Sequence, residues 1–165
     1  MKILLIVAGV VAALILMVVV IGAALPKHHT ATRTAFIRAT PEAVFRFISG
    51  PQDWRTDLAK TSAQEENGRT LIRETDKRGQ TITYEVVDSR PPTLLKRTIR
   101  DKSLPFGGSW TWEIQPQQGG CSVTIIEDGE VFNPVFRFVS RFVIGHTRTI
   151  DGYLAMLSSA AEGGK

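Results

Sequence analysis

From Ile3 to Leu25 the chain runs for 23 residues without a charged or strongly polar side chain. As a helix such a segment extends roughly 34 Å at about 1.5 Å per residue, enough to cross a hydrocarbon core of about 30 Å. The competing reading is a cleavable secretory signal, because Lys2 supplies a minimal basic start and Gly22, Ala23 and Ala24 are small enough for a cleavage site. The apolar part of such a signal covers only about 7–15 residues, so the run reads as an uncleaved anchor. The chain then divides at Pro26: residues 1–26 form a transmembrane anchor, 27–32 a short polar linker and 33–162 one domain. The bilayer is thus an expected partner of a single-pass membrane protein. Lys2 before the span nearly balances Lys27, Arg33 and Arg38 after it, which leaves the side of the soluble domain open.

All 13 aromatic residues follow Pro26, so the domain has material for an interior of its own. Only Lys2 among the 20 Lys and Arg precedes Pro26, so 19 face 16 Asp and Glu and the domain carries about +3. These bases are interleaved with acids rather than clustered, and nucleic acid is not an expected partner. Cys121 is the single cysteine, which excludes an intrachain disulfide and a thiolate metal cluster.

Past the linker, residues 33–39 alternate as a first strand. Thr40-Pro41-Glu42 then has the form of a helix start, with a capping hydroxyl, proline at the first position and an acid in the first turn. This short helix stops at Ser49-Gly50-Pro51, and a second short helix is expected around Trp54. Six further strands follow. Asn67-Gly68 is a two-residue hairpin signal, Lys77 to Gly79 and Gly119-Gly120 make turns, and Pro91-Pro92 ends another strand. Ile82, Tyr84 and Val86 share one strand face, Leu95 and Ile99 another, and Trp110, Trp112 and Ile114 a third. Strands joined in succession by hairpins form an antiparallel sheet.

Asn133 to about Ala161 reads as one long amphipathic helix, with Asn133 as N-cap and Pro134 in the first turn. At about 100° per residue, Val135, Phe136, Phe138, Val139, Phe142, Val143, Ile150, Tyr153, Leu154 and Leu157 fall on one arc. His146 projects near its middle and Thr149 at its edge. Arg137, Arg141 and Arg148 fall opposite, as a solvated stripe or one that leans on anionic headgroups. The fold class is therefore α+β: a transmembrane helix, a curved antiparallel sheet, two short helices and a long C-terminal helix across the concave side. A gap between sheet and helix is the candidate site.

The run Thr34-Ala35-Phe36-Ile37-Arg38-Ala39-Thr40-Pro41-Glu42-Ala43-Val44-Phe45, followed by Ile48-Ser49-Gly50-Pro51 and Trp54, resembles the opening of the START-like SRPBCC superfamily, the polyketide cyclase/dehydrase and lipid-transport group. The stretch from Phe132-Asn133-Pro134 through the last helix is similar to the close of that domain. A spanning helix ahead of it resembles a bacterial membrane-anchored branch, which implies the plasma membrane. The resemblance implies a helix-grip fold with a hydrophobic cavity. Its members include lipid carriers, quinone binders, hormone receptors, cyclases and ring-oxygenase subunits, so the activity must come from the site itself.

No catalytic motif, phosphate-cradling glycine loop or metal-binding spacing is present; no cofactor, metal or catalytic residue is expected. The adjacent His28 and His29 point apart in an extended linker. His146 is read either as a core histidine bonded to a carbonyl or water, or as a ligand contact in an apolar cavity. Tyr84, Trp110, Trp112, Phe138, Phe142, His146 and Thr149 are the candidate ligand-binding residues, whereas Glu113, Glu127 and Asp128 are expected in solvent. The function read from this pattern is a membrane-tethered binding module for a lipid, isoprenoid or polyketide-like molecule. Two alternatives stand beside it: a cyclase or dehydratase using the same cavity, with His146 as base and Thr149 or Tyr84 as donor, and a structural domain with a filled core.

Overall fold

The computed structural model describes residues 1–163. Helix α1 (Lys2–Ala24) precedes β1 (His28–Ile37), α2 (Pro41–Ser49) and six strands, β2 (Leu58–Glu66), β3 (Arg69–Asp76), β4 (Thr81–Arg90), β5 (Leu94–Ile99), β6 (Phe106–Gln117) and β7 (Gly120–Val131). The chain closes with α3 (Pro134–Val139), a π-helical turn over Ser140–Ile144, and α4 (Arg148–Gly163). The seven strands form one antiparallel sheet in the order β1-β7-β6-β5-β4-β3-β2. From β2 to β7 the chain is a meander, and α2 carries it from one edge strand to the other.

Residues 28–32 are not a linker. They pair with β7 from His28↔Glu130 to Thr32↔Ile126, because a strand as long as β7 would otherwise leave its backbone donors and acceptors unpaired over that length. Only residues 25–27 separate α1 from the sheet. Helix α1 is long and apolar enough to cross a bilayer and is exposed through residue 17.

Helix α2 begins as its sequence dictates, with the Thr40 hydroxyl accepting the Ala43 N–H at 3.3 Å. No second short helix follows it. Gln52 folds back instead and donates its side-chain amide to the carbonyls of Phe47 (2.9 Å) and Gly50 (3.0 Å), while the Trp54 indole donates to Phe47 at 3.0 Å. These bonds satisfy carbonyls left open at the end of α2 and fix residues 51–57 as turns.

The expected single helix over 133–161 is interrupted. Asn133 Oδ1 accepts from the Val135 and Phe136 amides at 2.9 and 3.2 Å, so the start holds. The ladder then widens into the π turn and ends at Gly145, whose φ of 79° lies in the left-handed region that no helix interior uses. Helix α4 restarts at Arg148. The break separates the apolar arc into two halves with different surroundings. Ile150, Tyr153, Leu154 and Leu157 are buried, whereas Phe142 is 60% and Val143 69% exposed.

Core and cavity divide the concave face along the strands. Ile37 of β1, Ile48 of α2, Ile114 of β6, Ile125 of β7 and Leu157 of α4 pack at one end. The other end, toward α3, is left open under the first half of α4. Leu157 is fully buried, so Leu157→Ala is expected to lower stability by about 2–5 kcal/mol. Phe142→Ala is expected to cost less than about 1 kcal/mol, since an exposed ring leaves no cavity when removed. Chemical denaturation of both variants in detergent measures the contrast.

Candidate functional site

Between the sheet and α4 lies a cavity of about 470 Å³. Its wall follows from strand alternation. Trp110 pairs with Glu127 on one side and Arg97 on the other, and Tyr84 pairs with Ile99 and Ile72. These residues therefore point to the same concave face. Helix α4 contributes Thr149, Tyr153 and Met156. The segment before it contributes Phe136, Ser140, Gly145 and His146.

Tyr153, 4% exposed, is the hub of the inner end. Its ring centroid lies 5.3 Å from Trp54, 5.6 Å from Trp110 and 5.7 Å from Trp112, in tilted and edge-on arrangements that suit the aromatic quadrupole. The Arg55 guanidinium sits 5.3 Å from the Tyr153 centroid and that of Arg97 5.4 Å from Trp112. Both arginines share Glu74: Arg55 donates to one carboxylate oxygen at 2.6 Å and Arg97 to the other at 3.5 Å. Arg97, 2% exposed, also donates to the Ile48 carbonyl at the end of α2. Asp57 holds the outer side of Arg55 through two bonds of 3.1 and 2.6 Å. Two positive and two negative groups thus neutralise one another in an apolar wall, as burial of charge demands.

Three donors in this inner end have no acceptor: Arg97 Nε, the Trp112 indole N–H and the Tyr153 hydroxyl. Burial opposes the charge on Arg55, but its hydrogen bonds to Asp57 and the carboxylate charges of Glu74 and Asp57 outweigh it and hold the guanidinium firmly protonated. Burial pulls Arg97 below its ordinary value. It also pushes the phenols of Tyr84 and Tyr153 well up, so both remain neutral donors.

The outer end is built around two histidines. His29 of β1 and His146 stack with ring centroids 3.9 Å apart and planes at 26°. His29 Nε2 lies 3.3 Å from Glu127 Oε1. Burial lowers the pKa of His29, and burial together with the charges of His29 and Arg141 lowers that of His146 against the opposing pull of Glu127. Burial raises the Glu127 carboxyl. Ring-on-ring stacking does not aim both imidazoles at one point, and among the described residues no three His, Cys, Asp or Glu side chains are grouped to hold a metal ion.

Of the seven candidate residues, Tyr84, Trp110, Trp112, His146 and Thr149 line the cavity. Phe138 and Phe142 do not. They pack on each other with centroids 5.0 Å apart outside it, because the π turn and the break at Gly145 rotate their segment away from the arc it shares with α4 in a continuous helix. Glu127, expected in solvent, lines the cavity. His29, Arg55, Glu74, Arg97 and Tyr153 also line the cavity, beyond those candidates. Arg97 and Glu127 carry a readable signal, since Arg97 stands between Leu95 and Ile99 on their face, and Glu127 continues the alternation of Cys121, Val123 and Ile125. Glu74 follows Ile72 in the same way, and Tyr153 lies one turn beyond Thr149.

A sequence-family model described as polyketide cyclase/dehydrase and lipid transport matches residues 28–162. No sequence among curated proteins matches this one. Several solved structures share the fold at low identity. The di-domain ARO/CYC StfQ from the steffimycin biosynthetic pathway superposes with a TM-score of 0.65 at 12% identity, over 82% of this chain and 52% of that one. This chain thus spans about half of that protein. Truncated norcoclaurine synthase from Thalictrum flavum gives 0.63 at 14% identity, over 84% and 96%. Protein MLL2253 from Mesorhizobium loti gives 0.63 at 17% identity, over 83% and 99%. The α+β helix-grip architecture is common to all of them.

A titration follows from the histidine stack. A histidine whose pKa is lowered by folding binds its proton less readily in the folded than in the unfolded chain, where it titrates near 6.5. The unfolded state therefore gains protons first, and stability is expected to fall as pH drops below about 6.5. Glu127, raised by burial, acts in the opposite sense and softens the loss at lower pH. The thermal midpoint in detergent should decrease from pH 7.5 to pH 5.5, and His146→Phe, which keeps the stack but cannot be protonated, should make that decrease smaller.

Proposed function

This chain belongs to the polyketide cyclase/dehydrase and lipid-transport family, and from that premise we propose that it is a membrane-tethered module that binds a hydrophobic small molecule. The ligand is of lipid, isoprenoid or polyketide-like chemistry and lies between the sheet and α4, with Tyr84, Trp110, Trp112, His146 and Thr149 among its contacts. The observation that carries this reading is the cavity of about 470 Å³ walled by Tyr84, Trp110, Trp112 and Tyr153. A filled structural core would leave no such space. The lining joins aromatic rings to the group of Arg55, Glu74 and Arg97, which suits a ligand with an apolar body and a polar inner end.

Tethering fits such a ligand. Helix α1 has the length and apolarity of a span, and it keeps the cavity beside the phase in which an apolar molecule dissolves. A cyclase or dehydratase acting through His146, Thr149 and Tyr84 has weaker support. No hydrogen bond joins any two of the three among the described residues, and the His146 ring is engaged with His29.

Gentle detergent extraction followed by native mass spectrometry should find a small molecule bound to the full-length protein. His146→Ala truncates a half-buried side chain of the cavity lining. It should leave the thermal midpoint nearly unchanged, while weakening retention of that molecule about tenfold, the equivalent of roughly 1.4 kcal/mol. A mass spectrum of protein alone under conditions that preserve apolar ligands would refute the reading.

A further inference from the structure

The segment between β7 and α4 has an exposed apolar surface that neither the core nor the cavity explains. Phe132, Val135, Phe136, Phe142 and Val143 are 41–69% exposed. Scattered single exposed apolar residues are ordinary in a folded protein, but a contiguous group marks a contact surface. The composition around it is one-sided, since residues 131–150 contain no Asp or Glu and include Arg137, Arg141 and Arg148.

What faces this surface is set by the way α3 is fastened. Arg137 is not on a wet stripe: it is buried and donates to the Leu25 carbonyl at 2.8 Å, the Ala23 carbonyl at 3.4 Å and the Phe132 carbonyl at 3.4 Å. It thereby caps the open carbonyls at the C-terminal end of α1, where a cation is favoured. Gly22 lets the two segments touch, for a Cβ there would collide with the Pro134 carbonyl. Helix α3 is thus clamped to the last turn of the apolar helix, next to the point where its run gives way to Pro26 and Lys27. A segment packed on the last turn of a bilayer span lies at the depth of the headgroup–acyl boundary, where amphipathic helices with aromatic and basic side chains reside.

We infer that residues 132–143 form a membrane-seated portal, lying in the interface of the bilayer that α1 crosses, so that the cavity opens onto lipid. Phe136, at once 51% exposed and part of the cavity lining, joins the two surfaces, with Ser140 beside it. The bilayer is the occupant that fits, because the apolar side chains continue the surface of α1 and the acid-free stretch with exposed Arg141 suits anionic headgroups. The inference rests on the reading that α1 spans a membrane.

Spin-label depth measurements on the full-length protein in phosphatidylcholine/phosphatidylglycerol vesicles test it. Cys121 is fully buried and stays unlabelled. Labels are placed at Val143→Cys, at Phe142→Cys as a second position on the patch, at Leu14→Cys within α1, and at Val87→Cys, an exposed site on β4. Collision with oxygen relative to a water-soluble nickel chelate should be several-fold greater at 143 and 142 than at 87, and lower than at 14. If 142 and 143 match 87 while 14 reads as lipid-buried, the portal is refuted and the span stands. A water-like label at 14 refutes the span itself, and the portal with it.

Discussion

The charged group shared inside the cavity wall ties this domain together. Glu74 on β3 is bonded by Arg97 from β5 and Arg55 from the turns after α2. Arg97 reaches on to the end of α2, and Tyr153 brings α4 against the same cluster. Five parts of the chain therefore meet at groups that tolerate little displacement, since losing one partner of a buried ion pair costs about 3–5 kcal/mol. Such a network adds little net stability over an apolar wall of the same shape. Its value here is geometric: it holds α2 and α4 at a fixed distance from the sheet and so keeps space between them.

That space exists because the two ends of the concave face are packed differently. Near Ile37 and Ile125, aliphatic side chains of the sheet, α2 and α4 pack together. Toward α3 the same strand faces present Arg97, Glu127 and large aromatic rings, which meet across a wider gap. Helix α4 bridges both regions, with Leu157 in the core and Tyr153 over the cavity. The break at Gly145 permits this, because a straight continuation from α3 would carry Phe138 and Phe142 on the α4 arc toward the gap.

The break also gives the preceding segment a separate role. Released from α4, α3 turns to the end of α1, and Arg137 binds the two at the carbonyls of Ala23 and Leu25. A residue that belongs to the polar side of a helical wheel becomes the joint between two apolar elements. Helix α1, the exposed apolar segment and the cavity lining then follow one another, and the proposed membrane-seated portal rests on that succession.

Local patterns in the chain were enough for the elements with strong local causes. The apolar run of α1, the Thr40-Pro41 and Asn133-Pro134 helix starts, the Asn67-Gly68 hairpin and the alternation that puts Trp110 and Trp112 on one face are all properties of neighbouring residues. So is the antiparallel meander, which follows from short connections. Tertiary contacts alone decided the rest: the pairing of residues 28–32 with β7, the folding back of Gln52 and Trp54 onto α2, the burial of Arg137, and the meeting of Arg55, Glu74 and Arg97 from three distant segments. In each of these a polar group finds a partner that periodicity does not encode: a few residues back for Gln52 and Trp54, and far along the chain in the other three. Periodicity records which side of an element is apolar, whereas the position of a buried charge depends on what the completed fold places opposite it.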